Sequence, residues 1–498
     1  MSSAPYVSSQ DLGTVWPVFA IAIASLLTLF VDLFAPAGRA RRGIAVAIGI
    51  LGLLAGGILT AQQYGHAFIA FSGAYSVGGF SVVFSEIAIL GAILTLALGL
   101  GIGRDDQVAG TTALLLWSTV GAILMAGANN LMMVFLGLEL LSLGLYCLCG
   151  ISARSSAREA AMKYLILSSM ASGFLLYGMA LIFGADGSVQ FSDLTVAPVN
   201  AMLLLGAGLF LVGIAFKLSL VPFHVWTPDV YEGAPLAVTA YMSVVTKAGA
   251  LAVFARFAYA ALPAQSANEI LIPIWVLAAL SMLVGNLAAL AQTDMKRLIA
   301  YSSVAHMGII IIGIFTFTVE GIEGALFQML SHGIVIAGLF VCSGILLARG
   351  ESLVLSGLGG LAARMPAYAA LLMLFALASM GLPGTSGFVG EILVIVGALK
   401  VNFWVSLLAA TGMVLGAAYM LVMLRAVLFD KTTRPELDRL KDLRPTEWAM
   451  LAPLAVMVMW LGIYPSSFTH IFDAPVAAMV QSHVAALAQP VALAMVTK

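Results

Sequence analysis

The sequence predicts an all-α integral membrane protein of about fourteen transmembrane helices, built as two inverted five-helix repeats in which the seventh and twelfth helices are broken. Composition is the first ground for this: 62% of the 498 residues are hydrophobic and 9% charged, more apolar surface than a soluble chain of that length can hide. Apolar windows of about 20 residues, the length that crosses a bilayer, recur along the whole chain. Pro222, just past the end of one window, and Pro383, inside another, mark two broken helices, each accompanied by one ionisable residue. The breaks are five helices apart, and an odd repeat length forces two related bundles into opposite orientations.

Taken in order, the windows cover residues 14–35, 43–62, 81–103, 109–127, 130–151, 160–184, 201–221, 236–260, 270–292, 298–319, 322–348, 369–400, 402–429 and 447–470. They group as 1–108, three N-terminal helices; 109–260 and 270–430, the two half-channel bundles; and 431–498, a loop, a last helix and a short amphipathic tail. The first ten residues carry no Lys or Arg, so the first window reads as a retained helix rather than a signal peptide. Alternate loops hold fifteen positive residues: Arg39, Arg41, Arg42, Arg104, Arg154, Arg158, Lys296, Arg297, Arg349, Arg364, Lys431, Arg434, Arg439, Lys441 and Arg444. The opposite side holds Lys400 and Lys498, so the positive-inside rule turns both termini outward. A net charge of −1 without a basic run excludes polynucleotide binding. Cys147, Cys149 and Cys342 all lie in apolar windows, an odd count that suits neither a disulfide framework nor a metal site.

The chain is organised around residues 216–235, where Lys217 stands at the end of an apolar helix. A cation there costs at least ~3 kcal/mol on insertion scales, so it has either a task or a route for its head to reach water. Pro222 has no N–H for the Leu218 carbonyl, and backbone freed in this way is tolerated at membrane depth only inside protein or beside a wet cavity.

Four further positive residues fall within helices. Arg256 and Arg425 lie near helix ends and read as snorkelling, and Lys163 pairs with Glu159 at helical spacing. Lys247 lies at mid-helix with Thr239 and Ser243 before it on one face, either a hydrated path or an interhelical hydrogen-bond seam.

Among the acids, Glu139 is central in its window with Ser142 one turn on, and Lys217 is its natural partner. Facing charges stabilise each other while burial favours both neutral forms, which makes a proton site that can be switched. Glu86 and Asp32 lie nearer helix ends and read as wetted at the interface. Glu391 follows Pro383 and four glycines in a second interrupted helix. His306 and His332 stand between the two breaks, each preceded by a hydroxyl. Such histidines suit a relay, a satisfied core or the axial ligation of a b-type haem, and the arginines that haem propionates usually bring are not evident.

The stretch from Lys217 to Pro235, the run Ala160-Ala161-Met162-Lys163-Tyr164, and Gln292-Thr293-Asp294-Met295-Lys296-Arg297 with the following Tyr301-Ser302-Ser303 resemble subunit N of the proton-pumping NADH:quinone oxidoreductases, respiratory complex I. The resemblance covers nearly the whole chain. It implies fourteen helices with two inverted half-channels, Glu139 as the fifth-helix glutamate, Lys217 as the seventh-helix lysine and Lys247 as the eighth-helix lysine. His306 and His332 fall where that family has polar central-axis residues.

One position departs from the pattern. Subunit N has lysine where this chain has Glu391, and glutamate there, with residues 321–333 and 382–391 around it, resembles the sister subunit M. The long lateral helix of the related subunit L has no counterpart after residue 470.

The resemblance implies a proton-translocating subunit of the bacterial cytoplasmic (inner) membrane. Protons would enter toward Lys217, pass Lys247, His306 and His332, and leave through Glu391. Its partners would be the other membrane subunits of the complex, with NAD, FMN, iron–sulfur clusters and quinone on partner subunits and no cofactor on this chain. Three other classes remain: an autonomous cation/proton antiporter of the Mrp type, a structural anchor whose buried charges orient subunits, and an organic-solute transporter, which expects aromatic or arginine anchors at the midplane.

Overall fold

The structure, a computed structural model, describes residues 7–35, 38–98, 107–262, 267–431, 434, 437 and 439–496. Arg104 and Lys498 of the charge pattern lie outside the described residues, as does the end of the 81–103 window.

A capped turn, α1 (Ser9–Thr14), leads into α2 (Trp16–Phe34) and α3 (Arg39–Ala61), followed by a small antiparallel hairpin of β1 (Phe68–Ala70) and β2 (Tyr75–Val77). The hairpin adds to the expected all-α fold. Ser72 and Gly73 supply its left-handed turn, at φ 53° and 99°. Then come α4 (Gly79–Leu98), α5 (Val108–Gly127), α6 (Leu131–Cys149), α7 (Ser155–Asp186), the single turn α8 (Phe191–Leu194) and α9 (Ala201–Leu218). Next are α10 (Trp226–Gly233) and α11 (Leu236–Tyr241), which runs through a π turn at Met242–Thr246 into α12 (Lys247–Ala260). The remainder is α13 (Ala267–Leu290), α14 (Met295–Ile314), α15 (Val319–Ala348), α16 (Leu361–Arg364), α17 (Pro366–Ser379), α18 (Ser386–Val401), α19 (Phe403–Leu424), α20 (Pro445–Ile463) and α21 (Ser466–Val496).

Among the described residues, thirteen helices are long and apolar enough to cross a membrane. The window expected at 369–400 is two shorter apolar helices, α17 and α18. The tail expected after residue 470 is helical from Ser466 to Val496.

Both breaks have local causes. α9 stops at Leu218, three residues before the expected end of its window, because Ser219 turns left-handed at φ 61° and Pro222 lacks a donor. The Val221 N–H is taken by the Ser281 hydroxyl at 2.9 Å, and Thr227 Oγ1 donates to Ser219 Oγ at 2.7 Å, so the opened backbone is satisfied inside protein. At the second break, Gly381 and Gly384 take φ 72° and 90°, and α18 restarts at Ser386.

The chain divides into two compact units. The first is Met1–Leu218, Val245–Pro273 and Phe472–Lys498; the second is Ser219–Val244 and Ile274–Ile471. In the first unit α7 and α9 pack with their backbones in near contact, since a Cβ on Gly178 would stand 2.6 Å from the Gly206 carbonyl oxygen. In the second, α10 is anchored to α14 by Arg297, which reaches Asp229 at 2.8 Å and Glu232 at 2.7 Å, and by Lys296, which donates to the Glu232 carbonyl at 2.7 Å.

Candidate functional site

Lys217 is the penultimate residue of α9 and 1% exposed. Its ammonium donates to Tyr164 Oη at 3.0 Å and Ser168 Oγ at 2.8 Å, both on α7. It also lies over the Tyr164 ring at 4.7 Å and the Tyr146 ring at 5.8 Å. Neutral oxygens and two ring faces therefore hold the amine, and its head is not routed to water.

Glu139, half-buried on α6, accepts the Ser172 hydroxyl at 2.5 Å. The direct pairing of Glu139 with Lys217 expected from the sequence is absent: each charge is held by its own serine, and those serines are one turn apart on α7. Ser142 is not a partner of Glu139 either, because its hydroxyl donates to the Leu138 carbonyl.

Lys247 is fully buried at the first turn of α12. A π turn at Met242–Thr246 lies between Thr239 and Lys247. Thr239 donates to the Tyr231 and Pro235 carbonyls and Ser243 to the Ala240 carbonyl, so both hydroxyls serve the backbone.

The remaining expectations concern charged groups near helix ends. Arg256 does not snorkel: its guanidinium turns to the Ala126 carbonyl at 3.3 Å and lies 5.5 Å from the centre of the Phe80 ring. Arg425 is exposed and bonds Asp430 at 3.1 Å. The Lys163–Glu159 pair forms at 2.8 Å. Asp32 is engaged by Arg41 at 2.7 Å, whereas Glu86 keeps a buried carboxylate oxygen with no protein partner.

The second unit gathers His306, His332 and Glu391 into one cluster. Glu391 is 2% exposed on α18, five residues after the helix restarts. Its Oε1 lies 3.5 Å from His306 Nδ1, and the Gln328 amide donates to both at 3.3 Å. His306 Nε2 faces Ser379 Oγ at 3.4 Å, the last residue of α17 before the break. The His306 and His332 rings are 5.1 Å apart, and His332 Nε2 bonds Ser303 at 2.8 Å. Histidine, histidine and carboxylate are thus in near contact through groups that donate and accept.

Glu391 Oε2 has no protein partner, and Glu391 lines a cavity of about 20 Å³ together with Asn286, His306, Ser379 and Tyr419. The Tyr419 hydroxyl is likewise buried without a partner. That volume admits one water molecule, for which ~10–15 Å³ suffices.

Sequence reading missed Tyr164, Ser168 and Ser172, although their four-residue spacing along α7 is a readable stripe. Gln328 stands one turn before His332 and was legible in the same way. Tyr419, on a helix with no other ionisable group near it, carries no local signal.

Residues 128–416 match the family model described as NADH:quinone oxidoreductase/Mrp antiporter, TM. The chain is 35% identical over 484 residues to NADH-quinone oxidoreductase subunit N 1 of Symbiobacterium thermophilum, covering 93% of this chain and 98% of that one. It is 36% identical over 374 residues to subunit M of Rhodobacter capsulatus, covering 72% of each chain. A chain in the structure of respiratory complex I from Thermus thermophilus with bound aureothin superposes with a TM-score of 0.76 at 31% identity, covering 91% of this chain and 98% of that one. With more than half its length matched by the model and a relative above 30% identity over nearly its full length, the chain belongs to the NADH:quinone oxidoreductase/Mrp antiporter membrane family.

Proposed function

We propose that the chain is a proton-translocating membrane subunit of an NADH:quinone oxidoreductase, coupling quinone reduction on partner subunits to proton movement through its own buried side chains. The observation that carries this reading is that each unit holds a buried proton-bearing group beside a broken helix: Lys217 at the end of α9, and Glu391 just past the start of α18. Backbone freed at membrane depth is tolerated only inside protein or beside a water-filled cavity. Protons enter from the cytoplasm to Lys217, pass Lys247, His332 and His306, and leave outward through Glu391.

In this reading α17 and α18 form one interrupted crossing, the twelfth in order, which brings the count to fourteen, and the two broken helices occupy corresponding places in inverted repeats. The chain lies in a bacterial inner membrane with both termini outward and borders the other membrane subunits. NAD, FMN, iron–sulfur clusters and quinone act on those partners.

The test is redox-driven proton uptake in vesicles holding the assembled complex, comparing the parent with Lys217→Ala and Glu391→Lys. Loss in Lys217→Ala with activity kept in Glu391→Lys marks an outer site that tolerates either charge, as an N subunit would. Loss in both makes Glu391 an obligatory acid, as in an M subunit. Normal uptake in an assembled Lys217→Ala complex refutes the reading.

A further inference from the structure

We propose that α7 sets the separation of Lys217 and Glu139, with Ser168 and Ser172 as positioning residues that hold the amine and the carboxylate on two hydroxyls one turn apart. This rests on the proton-translocation reading and goes further, naming the element that switches the pair. Ser168 Oγ accepts from Lys217 Nζ at 2.8 Å, and Ser172 Oγ donates to Glu139 Oε1 at 2.5 Å. Residues four apart on a helix share a face with their side chains about 5–6 Å apart, so the two ions are kept from contact by the length of a turn.

The two contacts differ in rigidity. α7 and α9 meet at backbone distance, since a Cβ on Gly178 would stand 2.5 Å from the Phe210 nitrogen and one on Gly206 2.9 Å from the Gly178 carbonyl oxygen. Ser168 and Lys217 therefore move as one body. Ser172 is tied to α6 through the Glu139 side chain, a single hydrogen bond, and this is the joint that opens. When it opens, Glu139 loses its neutral donor and its best replacement is the ammonium. Closing that pair holds a proton on Lys217, and restoring the serine contact releases it. The lysine proton leaves to Lys247, the next group on the proposed path, taken neutral, as the carboxylate returns to Ser172.

The groups that face Lys217 are Glu139, Tyr146 and Cys149 from α6 and Tyr164 from α7. α12, which also packs on α9, carries Lys247, Arg256 and Tyr259. Glu139 is the one carboxylate among them, so the sign of its influence is set.

The two serines predict opposite effects. Ser172→Ala sends Glu139 to the ammonium, favours the charged lysine and moves the alkaline limb of the pumping profile up by about one pH unit, tenfold in proton affinity. Ser168→Ala removes an acceptor from the ammonium and moves the same limb down. Ser172→Thr keeps the hydroxyl and restores the parent profile. General damage to packing gives shifts of one sign with no rescue.

The experiment is the pH profile of redox-driven proton uptake by the assembled complex in vesicles, for the parent, Ser168→Ala, Ser172→Ala and Ser172→Thr, with Lys217→Ala as control. Opposite shifts with rescue by threonine establish α7 as the spacer. Unmoved profiles, or shifts of one sign, overturn it while the control still fails to pump. Normal pumping in the control overturns the role of Lys217 itself.

Discussion

Glu391 Oε1 stands 3.5 Å from His306 Nδ1, and the side-chain amide of Gln328 donates to both. An amide offers two hydrogens, so Gln328 satisfies carboxylate and imidazole together while neither is obliged to hold the other's proton. Replacing Gln328 with Leu keeps the bulk and strands two buried acceptors, each at ~1–3 kcal/mol. The expected result is a complex that assembles, still reduces quinone, and takes up protons roughly tenfold more slowly, a ratio equal to ~1.4 kcal/mol. Parallel assays of quinone reduction and proton uptake check it.

Tyr419 and Glu391 each carry a buried unpartnered oxygen, and the cavity between α13, α14, α17, α18 and α19 that both residues line has room for a water molecule. Tyr419→Phe keeps the ring and removes the hydroxyl. Gly416→Ala adds a methyl to the cavity lining whose nearest neighbour is Tyr419 Oη at 3.9 Å, an ordinary contact. Both variants are expected to fold normally and to slow proton release without changing quinone binding. Unchanged release in both, measured with a pH dye on the outer side, would remove the cavity from the path.

Gly381 is fixed by conformation and by its neighbour. Its φ of 72° costs ~1–2 kcal/mol for any residue with a Cβ, and that Cβ would stand 2.5 Å from Glu391 Oε2. Gly381→Ala should therefore strain the break and displace the carboxylate together. Lower thermal stability accompanied by lost pumping is the expected outcome, read by melting of the purified complex and by the vesicle assay. By contrast Gly384, also left-handed, has open space around it, so Gly384→Ala is expected to show the strain alone.

Outside the membrane spans, Asp11 ties the amino-terminal turn to the hairpin. Its carboxylate accepts the Ser8 N–H at 2.7 Å and the Phe71 N–H at 3.0 Å, and these bonds hold its pKa below the ordinary carboxylate value. An acid whose pKa is lowered by folding contributes stability that is present above its unfolded value and lost as pH falls through the folded one. Exchange protection of the Ser8 and Phe71 amides, corrected for intrinsic rate, should fall on acidification below about pH 4, near that unfolded value. Asp11→Asn should flatten the dependence.

Much of this architecture was legible because hydrocarbon penalises polar groups so heavily that each exception marks itself. Lys217, Lys247 and Glu391 stand out in apolar windows for that reason, and Pro222, Gly381 and Gly384 announce breaks because their backbones cannot continue a helix.

The partners of those groups were decided by tertiary structure alone. Nothing in one dimension says that Glu139 bonds Ser172 rather than Lys217, that the Thr239 and Ser243 hydroxyls serve backbone carbonyls, or that Arg256 turns to Ala126. Hydrogen bonds reach only about 3 Å, so helix rotation and crossing depth choose among several donors of equal chemistry. The π turn before Lys247 shows this most directly, since one extra residue redirects everything after it. The sequence by itself determined the class of the protein, where its helices break and which ionisable side chains lie in apolar helices. Only the fold decided which hydroxyls and amides stand between those side chains, because that depends on contacts between helices far apart in the chain.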